Sequence, residues 1–184
     1  MVALPSRVLV IADYDKPHFE EHLGGGLDFV LSLGNVPFNI LQEICDLFLR
    51  PIYAVKGCHD PPTPFPSCVE DVHRKIVQHR KWVIGGYQGI LSDKPEGAYQ
   101  WVDAHAGFEL KHFPYVDVFI AHAPVYQITD TSGNGHEGSQ ALRRYIEDKQ
   151  PRYVYHGHVH SEIGAMVGES AVVSVFGAKL VTLR

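Results

Sequence analysis

The chain carries its most informative stretch near the end, where residues 152–160 read RYVYHGHVH. Arg152 to Tyr155 has the character of a short strand, and three histidines follow it within residues 156–160. Imidazole nitrogen is the commonest metal ligand in proteins, and a glycine between two histidines permits a tight turn that brings their side chains to one point. Three imidazoles so close together are difficult to explain as packing. This stretch therefore predicts a strand that runs into a metal site.

Four earlier stretches repeat this layout, with polar side chains placed directly after an apolar run. In α/β proteins, ligands bind outside the carboxyl ends of the strands, so side chains in such places can meet in one site. One such cluster alone would carry little weight, because a lone His after a strand usually belongs to an ordinary loop. In chain order, the four clusters are Asp13 with Asp15, Asn35, Cys58 with His59 and Asp60, and His122.

The first third of the chain predicts a parallel sheet. Its short apolar runs at 7–12, 28–33 and 51–55 are typical of buried strands. Between the second and the third run, residues 37–49 place apolar side chains three and four positions apart, which predicts an amphipathic helix. Strand, loop, helix and strand in this order form a βαβ unit.

Strands and helices continue through the rest of the chain. A strand at 81–84 is predicted to end at Gly85-Gly86, residues 88–100 are predicted to form a surface loop, and residues 132–135 a flexible segment. Three short strands at the end predict a meander, so the sheets should be mixed. The other predicted strands are 72–77, 116–121, 152–155, 163–167, 172–176 and 180–183, and the other predicted helices are 101–111 and 139–149.

Length and charge limit the class of protein. A chain of 184 residues is long enough for one domain with a proper core, so we expect residues 1–184 to form a single domain. The formal net charge of −5 argues against a long nucleic acid footprint. It does not exclude a phosphate substrate, because a bound metal supplies positive charge locally.

Membrane insertion and secretion are not expected. No apolar run approaches the roughly 18–20 residues of a membrane span, and the first residues lack the features of a secretory signal. The three cysteines are an odd and sparse set, which favours a reducing cytoplasm over a disulfide framework. Cys45 should be buried filler on the apolar face of its helix, whereas Cys68 could be a redox partner for Cys58.

The order and spacing of the five polar clusters resemble those of the calcineurin-like metallophosphoesterase family. The pattern of that family is Asp-x-His, Gly-Asp, Gly-Asn-His-Asp/Glu, a lone His and finally Gly-His-x-His. Residues 157–160 match the last of these motifs fully. The resemblance covers nearly the whole chain. It implies an α/β fold, a four-layer αββα sandwich of two mixed sheets flanked by helices, and a two-metal centre that hydrolyses phosphate esters.

The resemblance also implies roles for individual residues. His59 would be the proton donor near the leaving group, with Asp60 as its orienting partner. The residues implied around one metal are Asp13, Asp15, Asn35 and His160. Those implied around the other are Asn35, Cys58, His122 and His158.

Three ligand positions depart from the family pattern. Asp15 stands where the family has His, Asn35 where it has the Asp that bridges the metals, and Cys58 where it has Asn. A neutral amide cannot bridge two cations as a carboxylate does. A thiolate at Cys58 would restore negative charge and would favour zinc or iron over magnesium. We therefore expect one or two divalent ions, with manganese, zinc and iron left open.

Two functions follow from these residues. In the first, the protein hydrolyses a small phosphate monoester or diester, with a metal-activated water as nucleophile and His59 as proton donor. In the alternative, a catalytically impaired member of the same fold acts as a metal-binding or protein-binding scaffold, in which a metal only stabilises the fold. The retention of His59 favours the enzyme. The substrate and the oligomeric state are left open.

Two further histidines lie near the clusters in sequence. His156 precedes the glycine of the last motif and matches no ligand of the family, which favours a supporting or core role. His136 lies in a Gly-rich segment before a predicted helix, where capping or a contact at the rim of the site is favoured over metal binding.

Overall fold

The computed structural model describes residues 4–19, 26–131 and 136–184, so the predicted flexible segment 132–135 lies outside the described residues. The strands in these ranges are β1 (Ser6–Ala12), β2 (Phe29–Ser32), β3 (Ile52–Ala54), β4 (Val69–Asp71), β5 (Ile76–His79), β6 (Trp82–Tyr87), β7 (Ile90–Leu91), β8 (Gln100–Trp101), β9 (Val118–Ala121), β10 (Tyr153–His156), β11 (Gly164–Val167), β12 (Ser170–Ser174) and β13 (Gly177–Leu183). The helices are α1 (Phe38–Phe48), α2 (Asp103–His112) and α3 (Gln140–Lys149).

The first sheet has the strand order β13-β1-β2-β3-β4. Strands β1 to β4 are parallel, and β13 pairs antiparallel with β1. The connection from β2 through α1 to β3 is the predicted βαβ unit. Because α1 turns its apolar residues Ile40, Leu41 and Ile44 towards the sheet, it covers the outer face of the first sheet.

The second sheet has the order β11-β12-β10-β9-β6-β5. Its four central strands are parallel, and β5 and β11 pair antiparallel at the two edges. Its outer face packs against α2 and α3 through apolar side chains such as Leu110 and Ile146. The pair β7 and β8 forms a small separate sheet.

Alternation along the strands explains the four layers. In β1, Val8 and Val10 face the core between the two sheets, whereas Leu9 and Ile11 face α1. Trp82 and Ile120 meet Val8 and Val10 from the second sheet. A strand buried on both faces needs a continuous apolar run, which is what the sequence shows. The predicted αββα sandwich of two mixed sheets is confirmed.

The predictions for the middle of the chain were partly wrong. The segment 72–77 is not one strand: the chain leaves β4 at Asp71, bends at Arg74 with φ +56°, and enters the second sheet as β5. Gly86 does not end β6 but lies inside it, because a Cβ there would stand 2.5 Å from the carbonyl oxygen of Ile120 in the neighbouring strand. Close strand packing, and not a turn, requires this glycine.

The predicted terminal meander was wrong in its last strand. Strands β11 and β12 do form an antiparallel hairpin, but the chain then crosses to the first sheet, where β13 pairs with β1. Short apolar runs identify strands without identifying their partners. The crossover carries Phe176 past the carboxyl end of β1, next to the polar clusters.

The cysteine predictions were wrong about pairing. Cys45 is buried on the apolar face of α1, as predicted, but it forms a disulfide with Cys68, which lies before β4. Cys68 is therefore not a redox partner for Cys58. Both residues lie on the α1 side of the first sheet, which their 23-residue separation in sequence does not reveal. Cys58 is a free cysteine.

Within the ranges 4–19, 26–131 and 136–184, every helix is too short or too polar to cross a bilayer.

Candidate metal centre

The five polar clusters converge at one edge of the sandwich. Strands β1, β2 and β3 are parallel in one sheet, and β9 and β10 are parallel in the other. The loops that follow them meet in the cleft between the sheets, where Asp13, His122 and His158 are buried. The fold therefore brings residues from the beginning, the middle and the end of the chain together.

Strained backbone marks this edge. Four residues of the clusters have a left-handed backbone, with φ of +49° at Asp13, +54° at Asn35, +72° at His158 and +49° at His160. Residues other than glycine adopt this region rarely and at a cost of roughly 1–3 kcal/mol each. Strain of this kind concentrates at functional sites, because the surrounding structure has to hold it in place.

Two glycines allow the loops to approach. A Cβ on Gly157 would stand 2.7 Å from Oδ2 of Asp13. One on Gly34, at φ +97°, would run into the backbone nitrogen of Gly57 and stand 2.9 Å from Nδ1 of His122. Any larger residue at these positions would push the clusters apart.

Three side-chain atoms form a possible metal-binding group. Sγ of Cys58, Nε2 of His122 and Nδ1 of His158 all lie within 4.8 Å of one another. The sulfur is 3.7 Å from the His122 nitrogen and 3.8 Å from the His158 nitrogen. With zinc–sulfur and zinc–nitrogen bonds of about 2.3 and 2.1 Å, a tetrahedral ion would separate sulfur from nitrogen by about 3.6 Å. The three residues therefore fit one tetrahedral cation with its fourth position open.

Hydrogen bonding fixes which nitrogen His122 offers. Its Nδ1 lies 2.8 Å from the carbonyl oxygen of Leu33, which can only accept a hydrogen bond. The proton is therefore on Nδ1, and the unprotonated Nε2 faces the cluster, 3.1 Å from the amide nitrogen of Asn35 and 3.7 Å from Sγ of Cys58. Because burial lowers the pKa of His122 to about 4, the ring is neutral and able to bind a metal near neutral pH.

The thiol of Cys58 behaves differently. Burial raises its pKa, and the nearby Asp13 carboxylate acts in the same direction. A cation that binds here has to displace the thiol proton, so metal binding should release a proton and strengthen as the pH rises.

The Asp13 carboxylate links the loops that carry the proposed ligands. Its Oδ2 accepts the backbone N–H of His158 at 2.7 Å, and its Oδ1 accepts the side-chain amide of Asn35 at 2.9 Å. Nε2 of His160 lies 3.6 Å from the same Oδ1. The carboxylate thus orients a loop that carries a proposed ligand and leaves its negative charge next to the three ligand atoms.

The amide of Asn35 has a defined orientation. Its Oδ1 accepts the backbone N–H of His59 at 2.9 Å, and a backbone nitrogen can only donate. The NH₂ group consequently points into the cluster, 2.9 Å from Asp13, 3.1 Å from Nε2 of His122 and 3.7 Å from Sγ of Cys58. In this orientation Asn35 presents hydrogens, and not an acceptor oxygen, at the point where a bridging carboxylate would stand.

The implied second metal position is incomplete. Asp13 and His160 lie together, but Asp15 is exposed and makes no hydrogen bond or ion pair with the other predicted ligands in the described part of the chain. His160 is exposed and stacks on Phe176, with ring centroids 5.0 Å apart. The structure therefore brings together most of the predicted ligands, with the exception of Asp15.

His59 lies exposed at the mouth of the cleft, next to Cys58 in the chain. The expected role of Asp60 as its orienting partner does not agree with the contacts. Oδ2 of Asp60 instead accepts the backbone N–H groups of Asn35 at 2.9 Å and Gly57 at 2.7 Å. Asp60 thus fastens the loop after β2 to the loop after β3.

Sequence reasoning missed Lys56. Its side chain is buried, and Nζ donates to the carbonyl oxygens of Pro61 and Thr63 at 2.9 and 2.8 Å, over the ring of Phe38. This ammonium group holds the loop that carries Cys58 and His59. The available signal was a lysine directly after an apolar strand. The chain is buried at such a position, and a charged side chain is buried only when it has partners.

Three histidines should make the metal-free protein sensitive to acid. Burial lowers the pKa of His73, His122 and His156 to about 4, whereas an unfolded chain has histidine pKa values of about 6.5. The unfolded state then binds more protons between these values, so the free energy of unfolding should fall as the pH drops from 6.5 towards 4. The slope should approach about 1.4 kcal/mol per pH unit for each histidine.

Urea unfolding with a chelator present, at pH 7, 6 and 5, measures this slope. His156→Gln should reduce this slope by about a third, because His73 and His122 keep their lowered pKa values. Nε2 of His156 contacts Thr129 (2.6 Å) and not the proposed ligands, so the substitution leaves those ligands in place. An unfolding free energy that is constant from pH 7 to pH 5 would contradict the expectation.

The comparison with known proteins agrees with this geometry. The chain belongs to the calcineurin-like phosphoesterase superfamily, whose domain model matches residues 8–175. A search of curated proteins found no match.

Solved structures share the fold at low sequence identity. TT1561 of Thermus thermophilus is 18% identical with a TM-score of 0.67, over 97% of this chain and 98% of that chain. The phosphopantetheinyl hydrolase PptH of Mycobacterium tuberculosis is 14% identical with a TM-score of 0.63, over 92% and 89%. Vps29 of Entamoeba histolytica, solved with Zn²⁺, is 17% identical with a TM-score of 0.51, over 93% and 74%. At these identities, the similarity shows the fold.

Proposed function

We propose that the protein is a phosphoesterase that uses one metal ion, held by Cys58, His122 and His158, with His59 as proton donor to the leaving group. The observation that carries the proposal is the convergence of these three ligand atoms at separations that suit a single tetrahedral cation. Zinc is the proposed metal, because a thiolate with two imidazoles favours a soft or borderline ion over magnesium or manganese.

The structural relatives support both parts of the proposal. PptH of Mycobacterium tuberculosis is named as a hydrolase, and it matches nearly the whole of this chain. Vps29 of Entamoeba histolytica was solved as a zinc complex. A member of this fold can therefore bind zinc, and another is a hydrolase.

The residues around the three ligands have separate tasks in the proposed reaction. When bound, the metal would polarise a phosphoryl oxygen and lower the pKa of a water molecule in its open position. Asp13 holds the His158 loop and places a negative charge beside that position. His59, at the mouth, can protonate the departing oxygen of a monoester or a diester.

A scaffold function is the second candidate, and one feature of the site favours it. The incomplete second position, with Asp15 exposed and the Asn35 amide hydrogens turned inward, lacks the bridging carboxylate of a two-metal centre. The relative Vps29 takes its name from vacuolar protein sorting, and not from a reaction. In a scaffold, the metal would only stabilise the fold.

One experiment separates the two candidates. The protein is purified without chelator, its metal content is measured by elemental analysis, and p-nitrophenyl phosphate and bis-p-nitrophenyl phosphate are assayed with added zinc and with added manganese. The enzyme proposal expects bound metal and turnover that a chelator abolishes and zinc restores. Bound metal without turnover of either ester would support the scaffold, and absence of both would refute the metal centre.

Asn35→Asp should convert the site from one metal to two. The new carboxylate would lie where the amide now stands, with one oxygen kept by the His59 N–H and the other able to bridge two cations. We expect the metal content to rise from about one to about two ions per chain. Without metal, the carboxylate would stand next to Asp13, 2.9 Å from the present amide nitrogen, and repulsion should lower the melting temperature.

Asn39→Asp is the matched control for this variant. Asn39 lies exposed in α1, so the same change of charge there should alter neither the metal content nor the dependence of melting on metal. If Asn35→Asp keeps about one ion per chain and melts like the wild type with and without zinc, the deduced amide orientation is wrong.

We also propose that residues 1–184 act as one catalytic domain on a small phosphate ester. The cytoplasmic location predicted from the cysteine count stays a prediction. The Cys45–Cys68 disulfide counts against it, because disulfides are rare in a reducing compartment. Thiol counting in unfolded protein taken directly from cells tests this: three free thiols are expected from a reducing compartment and one from an oxidising compartment.

A further inference from the structure

His136 lies over the proposed metal ligands. Its ring centroid is 4.9 Å from that of His158, in an edge-to-face arrangement with an interplanar angle of 76°. It is 6.1 Å from the ring of His160. The side chain is half-buried, so it forms part of the wall of the cleft and remains accessible from solvent.

The backbone around His136 is held in place from several sides. The N–H of Thr131 donates to the carbonyl oxygen of His136 at 3.4 Å, and the N–H of Gly138 donates to the carboxylate of Asp130 at 3.2 Å. A Cβ on Gly138 would collide with the backbone of Tyr126. These contacts hold the backbone that leads into α3 and carries His136.

His136 is distinct from the proposed ligands. The group of atoms that fits one cation consists of those from Cys58, His122 and His158, and among the described residues no nitrogen of His136 belongs to it. Within the same residues, the imidazole of His136 has no hydrogen-bond partner. An imidazole always carries at least one N–H, so a donor stands at the mouth of the cleft with no partner in that part of the chain.

A phosphate ester needs donors at this position. The Asp13 carboxylate beside the ligands repels an anion, and the neutral Asn35 leaves the site without the bridged second cation of a two-metal centre. The buried ammonium of Lys56 is directed to the carbonyl oxygens of Pro61 and Thr63. A hydrogen-bond donor beside the ligands would therefore offset this repulsion and help the metal to hold the phosphoryl oxygens.

We infer that His136 is a substrate-binding residue, which donates a hydrogen bond to a non-bridging phosphoryl oxygen of the ester. The inference rests on the proposed function, since it assigns the substrate contact of that same site. It also explains why the side chain lies against the ring of His158 without joining the metal ligands.

The test measures binding of inorganic phosphate to the zinc-loaded protein by titration calorimetry, together with metal content and with KM and kcat for p-nitrophenyl phosphate. His136→Ala should weaken phosphate binding and raise KM by about 10- to 100-fold, the expected effect of losing a hydrogen bond to a charged group. The metal content should stay at the wild-type value. His136→Asn retains an N–H donor and should recover part of the loss.

His105→Ala is the matched control, because His105 is an exposed histidine of α2 that pairs with Glu109 and should not affect phosphate binding. If His136→Ala loses the metal, the residue is a ligand and the inference is wrong. If phosphate affinity and KM are unchanged while the wild type binds phosphate and turns over, the inference fails and the proposed function stands. If the zinc-loaded wild type neither binds phosphate nor hydrolyses the ester, both fail.

Discussion

Cys58→Ala should remove most of the metal from the protein. The substitution takes away the one anionic atom of the group formed with His122 and His158 and leaves two imidazoles. Loss of a direct ligand should exceed the 10- to 100-fold effect typical of residues that merely support a ligand, so we expect zinc affinity to fall by about 1,000-fold, or about 4 kcal/mol. Competition with a chromogenic chelator measures this affinity directly.

Two further variants make the result specific. The double variant Cys45→Ala/Cys68→Ala removes the other two cysteines, which form the disulfide, and should retain zinc binding although it loses stability. Cys58→Asn offers an amide oxygen in place of sulfur and should shift the metal preference from zinc towards manganese. Retention of wild-type zinc affinity by Cys58→Ala would exclude the proposed centre.

His59→Ala should slow hydrolysis by an amount that depends on the leaving group. A proton donor matters most when the departing oxygen is strongly basic, so kcat for an alkyl phosphate should fall by roughly 10²- to 10⁴-fold. With p-nitrophenolate, which leaves without protonation, the loss should be small. The side chain of His59 is exposed, and His59 donates to the side-chain oxygen of Asn35 through its backbone N–H, which the substitution keeps. The metal content should therefore not change.

The measurement is a comparison of kcat for the two kinds of ester in the zinc-loaded wild type and variant. His112→Ala serves as the control, since it removes an exposed histidine from the end of α2 that bonds to the carbonyl oxygen of Phe108 in its own helix. An equal loss with both esters would assign His59 to binding or to loop structure and would remove it as the proton donor.

Much of the fold could be predicted because it follows from local patterns. The stretch 8–12 is apolar throughout because both faces of the strand are buried there, Val8 against the second sheet and Leu9 against α1. The spacing in 37–49 matches the buried face of α1. The Gly-His-x-His stretch identified the family, and the family determines the order of layers.

Other parts of the fold depend on partners that sequence spacing does not reveal. The last strand is as apolar as its neighbours, yet it pairs with β1 at the other end of the chain. Cys45 and Cys68 meet only because α1 packs over the strand that follows Cys68. Lys56 is buried because carbonyl groups and aromatic rings from separate segments surround its ammonium group.

For the candidate site, the sequence by itself determined which side chains follow the strands and therefore which edge of the sandwich they share. The tertiary structure decided what those side chains present to the cleft. It turned Asp15 to solvent and left His136 over the ring of His158. It also directed the amide hydrogens of Asn35 inward, because the backbone N–H of His59, 24 residues away in sequence, donates to the amide oxygen. A sequence pattern reports residue type and local burial, whereas the direction of a donor or an acceptor depends on the partner that tertiary packing supplies.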